Sequence, residues 1–501
     1  MKKNRILFCW SMLLSVLLIG LASKSSPIYP MNDWVDVNCF FTMGRGMLDG
    51  MVPYRDLYEQ KGPVLYFVYA IISLFSRDSY WGVYLLEAVT FGLFLYFSGK
   101  LARLYLGESK VTYPLVAVLG AALVTSWSFT HGGSVEQLSL FMLVYSMYSV
   151  LRAMKENRAL SFREAFINGI LAATILWVKY TILGFYAGLA LFVVIWYLTD
   201  SQLRNKLLLT IGQFLLGAAA VTAVVFAYFI CHGALQDLLT VYFYNNIFLY
   251  AEEVSGSRLE QMWDCLHGAL RANTNYGWMI WSGILWLFLK QKNHWKAAIM
   301  SLMCFVFLAL TTYWGCKGWD YYGFIFAAFC IFGLIAIAQL LRSTVLYDLW
   351  HKYVPQHILA PILAAVLLLS YLLGATVQYN QNIYLTKYSK ADTVQYRFAE
   401  TIQTVENPTL LNYGFLDGGF YFASGAKPAC RYFCYFNIEP PQMWEEQNAC
   451  IQNGEADFIV TRYYQLEQYG LDCSKYRLVD EAAHPFDQTY TYTYYLYQRI
   501  S

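Results

Sequence analysis

The sequence predicts an all-α polytopic membrane domain of about 11 transmembrane helices, followed by a small extracytoplasmic α/β domain. Three observations carry this. Of 501 residues, 58% are hydrophobic and only 14% are charged, against about 25% charged in an ordinary soluble protein. Apolar runs approaching the roughly 20 residues that cross a bilayer recur from the N-terminus to residue 377. Beyond that point they stop. The near-balance of 35 basic and 33 acidic residues lacks the basic excess of a nucleic-acid binder, so no nucleic-acid partner is expected. Eleven cysteines show no CxxC pair and no Cys/His metal spacing, which argues against a zinc site or a sequence-evident disulfide framework.

The predicted spans fall near 6–23, 80–98, 111–130, 137–151, 165–178, 181–198, 207–230, 277–290, 297–313, 321–341 and 356–377. The first apolar run, about 17 residues long, suits a retained span better than a cleaved signal peptide. With the N-terminus cytoplasmic, 17 basic residues lie in inner segments: Lys2, Lys3, Arg5, Lys100, Arg103, Lys110, Arg152, Lys155, Arg158, Arg163, Arg204, Lys206, Lys290, Lys292, Lys296, Arg342 and Lys352. The longer outer segments before the tail hold nine, a positive-inside bias. Counting the short run 63–76 as a crossing would put the basic 99–110 loop outside, so it reads as an interfacial or re-entrant helix.

The domain boundary falls between 377 and 378, leaving 1–377 as the transmembrane domain, with a large outer loop at 24–79, and 378–501 as the extracytoplasmic domain. Nine basic and fourteen acidic residues give the tail a net charge of about −5. A helical stretch near 391–406, a strand at TLLNYG, a helix near 440–452 and strands at DFIVT, YRLVD and TYTYTYYLYQR give it an α/β pattern. Cys430, Cys434, Cys450 and Cys473 lie there, where disulfides are permitted; sequence does not pair them.

The functional residues collect in outer segments. NDWVDVNCFFTMGRGMLDGMVPYRDLYEQKGPVLYF, residues 32–67, concentrates Asp33, Asp36, Arg45, Asp49, Arg55, Asp56, Glu59 and Lys61. Its stretch 36–50 sets Val37, Phe40, Phe41, Met43 and Met47 beside Gly44 and Gly46, the pattern of a short helix lying on a bilayer surface. Pro53 and Gly62-Pro63 then put Arg55 and Lys61 in a turn region. Glu136, with His131 and two glycines, occupies the loop closing the third and fourth spans; a helix-dipole partner is the competing reading. Lys179, and Lys317, Asp320, Tyr321 and Tyr322 of KGWDYY, also face outward, in competition with simple interfacial snorkelling.

Over roughly residues 1–340, the chain resembles the C-type membrane glycosyltransferases, particularly the bacterial branch with protein O-mannosyltransferases and the lipid A aminoarabinose transferase. The resemblance rests on Asp36 followed by MGRGMLDGMVPYRDLYEQKGPVLYF, on Glu136 in SVEQL, and on the late DYYGF. It departs from the family pattern where Val37 follows Asp36 in place of a paired acid, where Lys61-Gly62-Pro63 replaces Lys-Pro-Pro, and where Asp320 stands in place of a His. The first departure leaves Asp33 and Asp36 competing as catalytic base.

The resemblance implies an inverting transfer of a sugar from a polyprenyl phosphate-linked donor to a glycan, lipid or protein acceptor on the outer face of a bacterial plasma membrane. Arg55 and Lys61 would clamp the donor phosphate. Asp36 or Asp33 would deprotonate the acceptor, and Glu136 would stabilise the oxocarbenium-like state or orient the acceptor. Arg45, Tyr54, His131, Lys179, Asp320, Tyr321 and Tyr322 are further candidates for substrate contact. No cofactor is implied with certainty; a divalent metal on Asp36 or Glu136 stays open, without a dedicated cage. The alternatives are a transporter or flippase of lipid-linked sugars, which would need polar groups at mid-membrane depth, and an envelope polysaccharide polymerase.

Overall fold

The computed structural model describes residues 2–250, 256–289, 295–342, 359–485 and 491–500. The predicted inner-loop residues Lys290, Lys292 and Lys352 lie outside them. The chain divides into two compact units, one formed by Met1–Ser26, Tyr84–Ala223 and Glu253–Ile383, the other by Pro27–Val83, Val224–Glu252 and Tyr384–Ser501.

The first unit is helical. Its helices are α1 (Lys2–Ala22), most of α4 (Trp81–Leu106), α5 (Thr112–Val124), α6 (Val135–Lys155), α7 (Phe162–Leu176), α8 (Gly184–Thr199), the first part of α9 (Leu207–Cys231), α11 (Arg258–Ala272), α12 (Thr274–Leu289), α13 (Trp295–Thr312), α14 (Cys330–Arg342) and Leu359–Tyr379. Among the described residues, six helical stretches are long and apolar enough to cross a membrane: Lys3–Ala22, Trp81–Leu106, Tyr180–Thr199, Arg204–Cys231, Trp295–Thr312 and Asp320–Arg342. This is a membrane protein. The other five predicted spans fall on the helices α5, α6, α7, Thr274–Leu289 and Leu359–Tyr379, which are not among those six; predicted span 111–130 ends as a helix at Val124, and residues 290 and 356–358 lie outside the described residues.

Two sequence features explain this packing. Caps set helix starts: Ser134 accepts from the Gln137 N–H at α6, and Ser161 and Glu164 form a capping box at α7, satisfying otherwise orphaned donors. Glycines let helices approach backbone to backbone, since apolar lipid leaves close packing as a main driving force. A Cβ on Gly169 of α7 would lie 1.9 Å from the Phe214 carbonyl oxygen of α9, and one on Gly217 would lie 2.0 Å from that of Phe166. The stretch 320–329, predicted as the start of an α-helical span, is instead a 3₁₀ helix, Asp320–Phe329. There the Tyr276 hydroxyl donates to the Gly323 carbonyl at 2.9 Å, and such competition for a carbonyl favours departure from the regular ladder.

In the second unit, α2 (Val35–Leu48) and α3 (Pro63–Phe75) pack together. Gly62 caps α3 and Pro63 begins it, the position where a missing N–H costs nothing. Its 13 residues reach about 20 Å, short of a roughly 30 Å hydrocarbon layer. The sequence suggested that α2 lies along a surface; instead every residue from Val37 to Gly46 is buried in protein. The reason is Gly44, where a Cβ would meet the Ala70 nitrogen of α3 at 2.6 Å.

The same unit holds a five-stranded sheet of order β2-β1-β3-β5-β4, with β1 at Thr409–Tyr413, β2 at Lys427–Pro428, β3 at Phe458–Arg462, β4 at Tyr476–Pro485 and β5 at Thr491–Arg499. β1 pairs parallel with β2 and β3, while β5 runs antiparallel to β3 and β4. Helices Val394–Ile402 and Pro441–Asn453 stand where the sequence placed them. The tyrosine-rich β5 is the half-buried strand its composition predicted, with Tyr494, Leu496 and Tyr497 buried.

Candidate active site

In the second unit, Asp36 occupies the first turn of α2 and is half-buried. The free N–H groups of a helix start face negative charge there. Asn38 clasps this turn: its Nδ2 donates to the carbonyls of Asn32 and Trp34, each at 3.0 Å, and its Oδ1 accepts from the Tyr80 hydroxyl at 2.7 Å. Asp33, by contrast, is buried and lines a small cavity with Pro30, Met31, Leu385, Tyr388, Asp392 and Thr393.

Lys61, immediately before α3, is buried, and its backbone N–H donates to Glu59 Oε2 at 2.8 Å. Its carbonyl accepts from the hydroxyls of Tyr54 at 2.6 Å and Tyr66 at 2.9 Å. Glu59 also accepts from the Tyr66 hydroxyl. Burial pushes the Glu59 carboxyl above its usual range; the Lys61 charge opposes that shift and the Asp36 charge adds to it. Glu59 thus stands as a buried acid bonded to the Lys61 backbone and acting under the charges of Lys61 and Asp36. Sequence reasoning counted Glu59 as one loop acid among several and gave it no role. The available signal was its place two residues before Lys61, followed by the helix-starting Gly62-Pro63.

The other predicted residues of this unit hold structural contacts. Arg55 is exposed and makes a two-pronged ion pair with Asp56, 2.8 Å at each nitrogen, while donating to the His232 carbonyl at 2.8 Å. This holds the Asp56 carboxyl below its usual range. Arg45 is buried and donates to the Tyr421 carbonyl at 3.1 Å. Next to it Thr42 donates to Asp417 at 2.7 Å, so α2 is tied twice to the segment after β1. Burial pushes the Asp417 carboxyl up to about 6. Tyr54 is buried with a φ of 70° and stacks on Phe229 at 5.6 Å.

In the first unit four separately predicted residues converge. Glu136, in the first turn of α6, is buried and ion-paired with the buried Lys179. The Lys179 ammonium also lies 3.7 Å from the Tyr322 ring centre and 5.4 Å from that of Tyr321, a cation–π arrangement. Asp320 stands exposed at the start of its 3₁₀ helix. His131 offers its backbone carbonyl to the Lys24 N–H at 2.8 Å. Beneath this loop the fully buried Glu87 accepts from Ser23 at 2.8 Å and from Gln137 Nε2 at 3.1 Å, while Gln137 Oε1 takes the Gly133 N–H at 2.9 Å. Glu87 thus fixes the residue next to Glu136, a role its position inside an apolar run did not reveal. Among the described residues no three His, Cys, Asp or Glu side chains group as a metal cage.

A mostly helical membrane protein with a small mixed sheet near its C-terminus is the fold class that the sequence pattern predicted. The particular likeness is to ArnT from Cupriavidus metallidurans. Its crystal structure in the apo state matches with a TM-score of 0.58 and 13% identity over 98% of this chain and 97% of that one. The structure of the same protein bound to undecaprenyl phosphate matches with a TM-score of 0.57, again at 13% identity over 98% and 97%. No protein-family model and no curated protein sequence matches the chain.

Proposed function

We propose that the protein is an inverting membrane glycosyltransferase that moves a sugar from a polyprenyl phosphate-linked donor to a glycan, lipid or protein acceptor outside a bacterial plasma membrane. The observation that carries this reading is the shared fold along 98% of the chain with ArnT, whose structure has been solved with undecaprenyl phosphate bound. The Asp36–Glu59–Lys61 group supports it with the required chemistry.

In this reading about eleven helices span the membrane, the N-terminus is cytoplasmic, and both 24–79 and 378–501 lie outside. The polyprenyl phosphate that leaves is a weak base, a monoester with a second pKa of about 6, so its departure needs charge rather than a proton. Lys61 supplies that charge beside the start of α3, and Glu59 holds the lysine backbone. Arg55 joins the clamp by exchanging Asp56 for phosphate, which offers the same two-oxygen geometry to its fork. Asp36 takes the proton of the acceptor hydroxyl as that oxygen attacks the anomeric carbon. The bond from that carbon to the phosphate oxygen breaks, polyprenyl phosphate leaves as the anion, and the anomeric centre inverts.

The test is transfer by purified protein in lipid, with a panel of undecaprenyl phosphate-linked sugars read by mass spectrometry. Transfer from at least one donor, abolished by Asp36→Asn with the unfolding temperature unchanged, is expected. Full turnover by both Asp36→Asn and Asp33→Asn would overturn the base assignment, and no transfer from any donor would overturn the function.

A further inference from the structure

We infer that Cys39 and Cys434 form a disulfide in the mature protein, fastening the helix that carries Asp36 to the C-terminal α/β module. Their sulfur atoms lie 4.0 Å apart although 395 positions separate them in the chain. Both side chains are buried, and both backbones are held. Cys39 is three residues beyond Asp36 on α2, a helix already tied to Asp417 and Tyr421. Cys434 lies between two backbone bonds, from the Asn412 N–H to the Phe433 carbonyl at 3.1 Å and from the Tyr435 N–H to the Phe415 carbonyl at 3.0 Å. Its own carbonyl accepts from Gln447 at 3.0 Å. A bonded pair of sulfurs sits about 2 Å apart, so about 2 Å of approach between the two sulfurs closes the bond.

The alternative partner in sequence, Cys430, is turned elsewhere. It packs with Cys450 against the core beneath helix Pro441–Asn453. This leaves Cys39 as the natural mate of Cys434.

Burial pushes the Cys39 thiol well up, and the neighbouring Cys434 pushes it further, so the folded pair in its reduced form holds little of the thiolate that reacts. The two thiols give up two protons and two electrons as the S–S bond forms. A thiol-oxidoreductase disulfide takes up both and becomes a dithiol. This inference rests on the outward placement of 24–79 and 378–501, since a cytosolic pair would stay reduced.

The test uses the full-length protein in its native membrane. Cells are quenched with acid, denatured in N-ethylmaleimide and digested without reductant, and peptides are mapped by mass spectrometry. A fragment carrying Cys39 linked to one carrying Cys434, and lost on reduction, is the expected result. Alkylated thiols at both positions, or Cys434 linked to Cys430, would overturn the inference. In parallel, the partly exposed Cys473 is treated on intact cells with a membrane-impermeant maleimide. Labelled Cys473 beside free Cys39 and Cys434 sinks the disulfide alone; unlabelled Cys473 beside the same free thiols sinks the sidedness as well.

Discussion

The Glu136–Lys179 pair offers a sharp test of how the first unit is held together, because both charges are buried and Lys179 has a second support in the Tyr322 ring. Removing one partner of a buried ion pair costs about 3–5 kcal/mol, since it strands a charge away from water. The asymmetry between the partners sets where in that range each variant falls. After Glu136→Gln, Lys179 keeps the Tyr322 ring at 3.7 Å, and a desolvated cation–π contact is worth about 2 kcal/mol. After Lys179→Met, Glu136 keeps no comparable cation among the described residues, where its Oε2 is buried without a hydrogen-bond donor, so this variant belongs at the upper end. The double variant, with both charges gone, should lose less than the sum of the singles by about 2–3 kcal/mol, the upper part of the range of about 0.5–3 kcal/mol for directly coupled residues. Unfolding by denaturing detergent, followed through tryptophan fluorescence, reads all four proteins, and transfer assays on the same samples separate stability from turnover. Strict additivity, or single losses below about 0.5 kcal/mol as at an exposed pair, would refute the reasoning. A double variant that folds and keeps full turnover would remove Glu136 from the site.

Lys61→Met is expected to weaken binding of undecaprenyl phosphate at least tenfold by calorimetry, since a tenfold loss is only about 1.4 kcal/mol and charge-assisted hydrogen bonds exceed that; Arg77→Met, on an exposed pair with Asp49, should leave it unchanged. Asp417 predicts a pH dependence. Its carboxyl is raised from 3.8 to about 6 in the folded protein, so the folded state binds more protons than the unfolded state between those values, and stability falls as pH rises through that window, by about 3 kcal/mol, before levelling off. Unfolding curves from pH 4 to 7 should show this fall, and Asp417→Asn should reduce it by that amount.

Much of the fold was legible because it follows from local physics. Apolar runs became helices, the 13-residue run before Ser76 was already too short to span, and the alternating tyrosines of β5 became a half-buried strand. The candidate site was legible only as separate pieces. Glu136, Lys179 and Tyr322 were each suspected, yet nothing local joins a lysine to an acid 43 positions away. Arg55 looked like a free cation, although its neighbour Asp56 was written beside it. Glu59, Glu87 and Asp417 escaped notice because acids acquire their roles through burial, and burial is a property of the assembled chain. The apolar stripe of α2 resembled a membrane-facing surface for the same reason: period alone does not distinguish lipid from a packed protein neighbour.

The ties between α2 and the segment after β1 set an order of events. Thr42 must wait 375 positions for Asp417, and Arg45 must wait 376 for Tyr421. At about 5–20 residues per second, that delay lasts roughly 20–75 s. Throughout it, the helix carrying Asp36 stands without its lateral support while the intervening helices are still being made. A nascent chain released before Asp417 would hold every charged residue of the loop and the packing of α2 on α3, and yet lack both ties from α2 to the module. Completion of the distant module thus acts as a timer on the last supports of the first loop.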